Sequence, residues 1–274
     1  MPEANAQFVG SIPEIYDRHL GPVLFEPYAA DLAARIKVKP GARVLELACG
    51  TGILSRRLRD ALPHGATLVA TDLNEPMLAH AALKFRPDER VEWRQVDACA
   101  LPFPDASVDA VVCQFGYMFV PDKPLALREA RRVLRPGGLL AFNVWGSLDD
   151  DPFARVAHEV IAGFFPDNPP TFYQVPFSMH DRGELEKLVL GAGFDPPVIS
   201  TVRLTGESPS ASELAVGLVE GNPVVAAIRE RGTVPVETIV DRMTEAVRQL
   251  AGDRPARIDL VAHVVTARAP RASS

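Results

Sequence analysis

Three acids and a pair of glycines stand where an α/β protein can do chemistry. Glu46, Asp72 and Asp97 each close a short apolar run, and Glu46 leads directly into Ala48-Cys49-Gly50-Thr51-Gly52. Glycines at 50 and 52 let the backbone turn sharply and approach a ligand at a helix N-terminus. An acid at the end of a buried strand is costly unless a cation or a hydrogen-bond network meets it, so Glu46 points either to a cationic ligand group or to capping by backbone amides. Asp72, twenty positions after Gly52, can accept hydrogen bonds from both hydroxyls of a ribose; its plainer reading is a cap for the helix beginning near Asn74. At Asp97-Ala98 a carboxylate can accept from an exocyclic amine, or simply belong to a loop.

The elements that must position these groups follow from hydrophobic patterning. Residues 43–47, 67–71, 91–96, 108–115 and 139–145 are short aliphatic or β-branched runs, and most are almost continuously apolar, as buried parallel strands are. Helical periodicity marks 52–62, 74–85 and 124–134 between them, with Asn74 as N-cap and Pro76 in the first turn. Three acids at the ends of three successive parallel strands therefore face one crevice, where open α/β sheets bind ligands.

Residues 12–36 read as one or two amphipathic helices forming a flap before the first strand, with Tyr16, Leu20, Phe25 and Tyr28. Beyond Trp145, the run Asp149–Asp151, a helix and the breaker-rich 166–170 loop look inserted. Asp181 and Glu184 resemble a capping box opening a helix over 184–190. A strand over 198–204, helices over 210–220 and 236–250, and a valine-rich strand over 258–267 complete the chain. The expected organisation is one domain over 1–274. It comprises a flap (1–39), a ligand-binding core (40–146), cap insertions with a returning helix and strand (147–256), and a final strand with its tail (257–274).

Composition narrows the function classes. A chain that is 47% hydrophobic and 23% charged is ordinary for a globular protein. A net charge of -6 repels a phosphate backbone unless a basic face is segregated. The candidate for such a face, Arg128, Arg131, Arg132 and Arg135, sits at helical spacing beside Glu129 and reads as a solvated helix surface, so no nucleic-acid partner is expected. Three cysteines without a C-x-x-C pair or nearby histidine ligands suggest reduced thiols and no metal. The polar start of the chain lacks a secretory pattern, and the apolar stretch at 110–120 is too short to span a bilayer. A cytoplasmic protein without a membrane span is the expectation.

Taken in order, the segment Val44-Leu45-Glu46-Leu47-Ala48-Cys49-Gly50-Thr51-Gly52, then Asp72, Val96-Asp97-Ala98, Leu101-Pro102-Phe103, Phe115 and Leu134-Arg135-Pro136-Gly137-Gly138 resembles the motifs of class I S-adenosylmethionine-dependent methyltransferases. The likeness covers about residues 40 to 146 and is nearest the small-molecule branch that includes ubiquinone and menaquinone biosynthesis methyltransferases. It implies an α/β Rossmann-like sheet, mostly parallel with one antiparallel strand near the C-terminus, flanked by helices. By the same resemblance Glu46 helps hold the methionine ammonium, Ala48, Gly50, Thr51 and Gly52 form the loop around the amino acid, and Asp72 holds the ribose. Leu73 and Met77 would pack on adenine, Asp97 and Ala98 would meet its amine edge, and Gln114 and Phe115 would lie beside the methionine. Ala48 departs from a position where many members have glycine, and it is tolerated unless the backbone there adopts positive φ.

The cofactor so implied is S-adenosylmethionine, and the partner a small, apolar or aromatic methyl acceptor. Because the methyl arrives activated, a general base is needed only for a protonated acceptor; His19, Tyr117 and His180 are the candidates. Tyr16 and Tyr28 either close over the cofactor or fill the core. Phe153, Phe164, Phe165, Phe172, Tyr173 and Phe177 crowd one insertion, which favours a closed acceptor pocket near the crevice. Two rival readings stay open. A non-catalytic module would bind the same cofactor, and a nicotinamide-dependent dehydrogenase would share Asp72 and the glycine turn, although it would want glycine where this chain has Ser55.

Overall fold

The apolar runs form one seven-stranded sheet in the computed structural model, which describes residues 3–271; the extreme ends of the expected flap and tail fall outside these. In chain order the elements are α1 (Ile12–Ile15), a π-helical stretch (Tyr16–Phe25), α2 (Glu26–Arg35), β1 (Arg43–Leu47), α3 (Ile53–Ala61), β2 (Thr67–Asp72), α4 (Glu75–Ala82), β3 (Val91–Gln95), β4 (Val108–Gln114), α5 (Lys123–Val133) and β5 (Leu134–Trp145). Then follow α6 (Pro152–Gly163), α7 (Arg182–Gly191), β6 (Val198–Ser208), α8 (Ala211–Glu220), α9 (Val224–Arg231), α10 (Val236–Ala251) and β7 (Ala256–Arg268). Strand order is β3-β2-β1-β4-β5-β7-β6. All neighbours up to β5 are parallel, and β7 runs antiparallel to both β5 and β6, so the sheet has the one reversed strand expected near the C-terminus.

Alternation along the central strands divides the core between two faces. Val44, Leu68, Val112 and Ala141 pack with α2 and α3 through Leu32 and Leu58. Leu45, Val69, Val111 and Phe142 face α5, the cap helices and the flap. The outer strands β3 and β6 are only partly buried, which fits their edge positions.

Several local expectations need correction. Pairing of β5 begins at Leu134 opposite Val108 rather than at residue 139, because a bulge between Val108 and Ala110 absorbs the Arg135–Gly138 turn. Asn74 makes no side-chain cap; its amide nitrogen instead reaches the Ala6 carbonyl (3.1 Å) and Asp72 Oδ1 (3.3 Å). Asp181 does accept from the Glu184 amide (3.0 Å), but Glu184 turns to Lys187 (2.7 Å), so only half of a capping box forms. Asp151, the residue before α6, is fully buried and accepts from the Val261 amide of β7 (2.8 Å). Helix α9 went unread: eight residues between Pro223 and a left-handed Gly232 are too few to show periodicity.

The arginine cluster is tied down locally. Arg132 pairs with Glu129 (2.7 Å) and Asp105 (2.8 Å), Arg135 with Asp109 (2.6 Å), and Arg131 donates to the Gly193 carbonyl (3.1 Å). All three cysteines are free. Among the described residues no single helix is long and apolar enough to cross a membrane, and no cluster of metal-ligating side chains occurs.

Candidate functional site

The sheet register brings the acids together. Glu46 on β1 sits level with Ala70 of β2 and Val112 of β4, so the carboxyl ends of the central strands open on one cleft. Ala48 and Gly50 border it from the first βα turn, Asp72, Leu73 and Met77 from β2 and α4, Asp97 and Ala98 from the end of β3, and Gln114 and Phe115 from the end of β4. The cleft has a volume of about 140 Å³ and is roofed by Phe8 and Tyr16. Beside it lies a recess of about 30 Å³ that reaches Glu46 and Thr51. Gly52 borders neither space. At φ 81° it caps α3, and a Cβ there would lie 2.9 Å from Ala81 Cβ, so glycine serves the turn and helix packing.

Backbone strain gathers at the rim of the cleft, after β1 and after β4. Ala48 adopts φ 51° and Phe115 φ 49°, left-handed values that side chains resist. The condition under which alanine was tolerable is therefore not met, and Ala48 is held in place by its neighbours: a Cβ on Gly116 would come within 2.5 Å of its own. Phe115, turned by the same strain, stacks on Trp145 with centroids 3.9 Å apart.

The Asp72 carboxylate is 6% exposed and accepts from the Gly50 and Asn74 amides, each at 2.8 Å. Burial raises its pKa, with those amides opposing. Oδ1 also receives the Asn74 side-chain amide (3.3 Å), so Oδ2 is the oxygen that retains an acceptor site for a ligand hydroxyl. Asp97 is engaged by the Cys99 amide (2.8 Å). Glu46 differs, because both carboxylate oxygens are buried without a hydrogen-bond partner among the described residues. Desolvation pushes its pKa up to about 8, the Ser55 hydroxyl opposing and the Asp72 charge adding. Thr51 Oγ1 and Gln114 Oε1 are likewise unpartnered, while Gln114 Nε2 donates to the Phe25 carbonyl (2.8 Å). A set of buried acceptors around one recess is what an ammonium-bearing ligand would satisfy. The residues present thus fit the amino acid end of S-adenosylmethionine at the recess, with Asp72 placed for ribose and Asp97 for adenine.

A third space, about 50 Å³ in volume, adjoins the cleft and is almost wholly aromatic and aliphatic. The core contributes Phe115, Phe119 and Trp145, the cap contributes Phe153, Phe172, Tyr173 and Phe177, and the flap contributes Phe8, Tyr16 and Phe25. Phe164 and Phe165 are absent from this lining; Phe165 lies under Arg231 instead. Tyr16 borders all three spaces and stacks on Phe25 at 4.7 Å. Burial, with Asp17 and Asp72 nearby, raises its pKa. Tyr28 is core, its hydroxyl bound to the Val202 carbonyl (3.1 Å).

None of the candidate bases borders these spaces. His19 faces Glu213 at 3.8 Å, with burial lowering its pKa; Tyr117 is packed against Phe142; and exposed His180 contacts the Phe177 carbonyl at 2.8 Å. Residues that sequence reasoning missed include Phe8, Phe119 and Trp145. Phe8 and Phe119 carry no motif and are brought in only by folding, whereas Trp145, at the end of the last parallel strand, occupies a position that could have signalled it.

Comparison with known proteins agrees with this geometry. Residues 45–142 match the family described as Methyltransferase domain. The chain is 32% identical over 133 residues to the demethylmenaquinone methyltransferase of Lysinibacillus sphaericus, covering 47% of this chain and 57% of that protein. It is 44% identical over 113 residues to the demethylmenaquinone methyltransferase of Thermus thermophilus, covering 41% and 50%. The chain therefore spans about half the length of the relatives it matches. In fold it resembles phosphoethanolamine N-methyltransferase 2 of Haemonchus contortus, with a TM-score of 0.61 at 17% identity, covering 94% of this chain and 57% of that one. Most of the cleft's lining thus falls within the segment that matches the methyltransferase-domain family and resembles the ubiquinone and menaquinone biosynthesis methyltransferases.

Proposed function

We propose that this protein transfers a methyl group from S-adenosylmethionine to a nucleophilic atom of a small, apolar or aromatic molecule held in the aromatic chamber. The observation that carries this reading is the shared wall: Tyr16, Phe115 and Phe119 border both the cofactor cleft and the chamber. When bound, the cofactor supplies a methyl activated by its sulfonium. The chain's own residues then have three tasks. Glu46, Thr51 and Gln114 hold the amino acid end, Asp72 and Asp97 fix the nucleoside, and the rings exclude water and align the acceptor. Among the described residues, the titratable groups lining the chamber are Tyr16 and Tyr173, both with pKa values raised by burial. Neither can serve as a base near neutral pH, so the acceptor must be nucleophilic as it binds. Closeness to quinone-biosynthesis relatives supports an electron-rich ring as acceptor.

Purified protein should bind S-adenosylhomocysteine, gain thermal stability from it but not from a nicotinamide dinucleotide, and pass labelled methyl to a small molecule in a metabolite extract. Binding without any labelled product would leave a cofactor-binding module, and no binding would overturn the reading.

A further inference from the structure

The chamber wall contains an amide side chain with half of its hydrogen-bonding capacity unused. Asn222, in the Gly221-Asn222-Pro223 link between α8 and α9, is 7% exposed and borders the chamber but not the cofactor cleft. Its Nδ2 faces the carbonyl oxygens of Leu218 (3.3 Å) and Gly217 (3.4 Å) at the end of α8. Carbonyls only accept, so the amide must turn its nitrogen toward them and its Oδ1 away. Oδ1 has no hydrogen-bond partner among the described residues. The neighbouring Tyr173 hydroxyl cannot supply a proton, because it donates to the same Leu218 carbonyl at 2.6 Å. An oriented acceptor that a ligand can reach is thus left in a chamber otherwise apolar apart from the Tyr16 and Tyr173 hydroxyls.

Covering such an acceptor with an apolar ligand is unfavourable unless the ligand brings a donor to it. We infer that Asn222 is a specificity-determining residue, which accepts a hydrogen bond from an O–H or N–H on the methyl acceptor and thereby selects its orientation. The inference rests on the chamber being the acceptor site, as proposed above. Fixing one donor at the Asn222 end sets which edge of a flat acceptor faces the rings shared with the cofactor cleft. An acceptor of the same shape without a donor would leave Oδ1 unpaired and be rejected.

Two probes of nearly the same shape, p-cresol and p-xylene, separate donor recognition from apolar packing. Trp145 lines the chamber and the chain's other tryptophan is Trp93, so fluorescence in a Trp93→Phe background reads chamber occupancy. With S-adenosylhomocysteine saturating, the ratio of p-cresol to p-xylene affinity should fall about tenfold in Asn222→Leu, while S-adenosylhomocysteine affinity is unchanged. Wild-type protein should also prefer p-cresol to 4-methylanisole, which keeps the oxygen but lacks the donor, and this arm decides the matter if Asn222→Leu fails to fold. An unchanged ratio, equal binding of p-cresol and 4-methylanisole, or no binding of any probe overturns the role of Asn222. Failure of the wild-type protein to bind S-adenosylhomocysteine overturns the functional reading itself.

Discussion

Asp72 and Glu46 show how two buried carboxylates on adjacent strands come to different states. Asp72 is already held by the Gly50 and Asn74 amides, so its geometry for a ribose exists before any ligand arrives. Glu46 has no such partners among the described residues, and both its oxygens are buried. Asp72→Ala should therefore lose charged hydrogen bonds to the ribose. Calorimetry should show affinity for S-adenosylmethionine and its demethylated product falling more than about tenfold, or about 1.5–3 kcal/mol. An unchanged affinity in a folded variant would remove Asp72 from the site. The acids were legible in the sequence because strand ends are; the strain at Ala48 was not, since a left-handed φ at a non-glycine residue is not written in residue type.

Among the elements, the flap does the most that patterning could not foresee. Its π-helical stretch widens around Pro22, which has no N–H to donate, and the Glu26 amide bonds back to Gly21. That winding aims Tyr16 and Phe25 at the ligand spaces while Asp17 reaches α4, pairing with Lys84 and with His80 at 3.2 Å. Burial opposes ionisation of Asp17, but hydrogen bonding from Lys84 prevails and keeps its carboxyl below the usual range. The pair is partly exposed, worth about 1 kcal/mol or less. Lys84→Ala, which touches neither ligand space, should speed S-adenosylhomocysteine release a few-fold in stopped-flow measurements; an unchanged off-rate would show that the flap is not latched there.

The cap makes a second element-scale prediction. Phe172 and Tyr173 are buried and line the chamber. If a ring covers ~100 Å² of acceptor, Phe172→Ala or Tyr173→Ala should cost up to about 2.5 kcal/mol of acceptor affinity while sparing the cofactor. Lower melting temperatures with unchanged acceptor KM in both variants would leave these rings as structural knitting only.

For the molecule as a whole, site preparation should oppose stability. Glu46 has a folded pKa of about 8, above the ordinary carboxyl value expected when unfolded. Its contribution is fully present below the unfolded value and is lost as pH rises toward 8. Comparing wild-type protein with Glu46→Gln isolates this group, because Asp72 and Asp151, whose pKa values are also raised, remain in both. Between about pH 5 and about pH 9, denaturant unfolding should show wild-type stability falling relative to the variant by up to about 4 kcal/mol. Cofactor binding should reverse the sign, since an ammonium favours the carboxylate: affinity should rise with pH up to about 8 and binding near neutrality should release a proton. A pH-independent difference between the two proteins would refute an uncharged Glu46 in the free state.

The sequence alone determined the sheet, because buried parallel strands need continuous apolar runs and their ends can be read from the acids and glycines that interrupt them. It also placed Glu46, Asp72 and Asp97 at one crevice, since local βαβ geometry allows little else, while Gln114 came with the family resemblance. The aromatic chamber was decided only by tertiary structure. Phe8, Phe119, Trp145, Tyr173 and Asn222 come from the flap, the core and the cap, and an aromatic residue in each segment reads equally well as core. Apolar burial is non-directional, so a pattern fixes that a ring is inside but not which space it faces; that is settled only when flap and cap close over the strand ends.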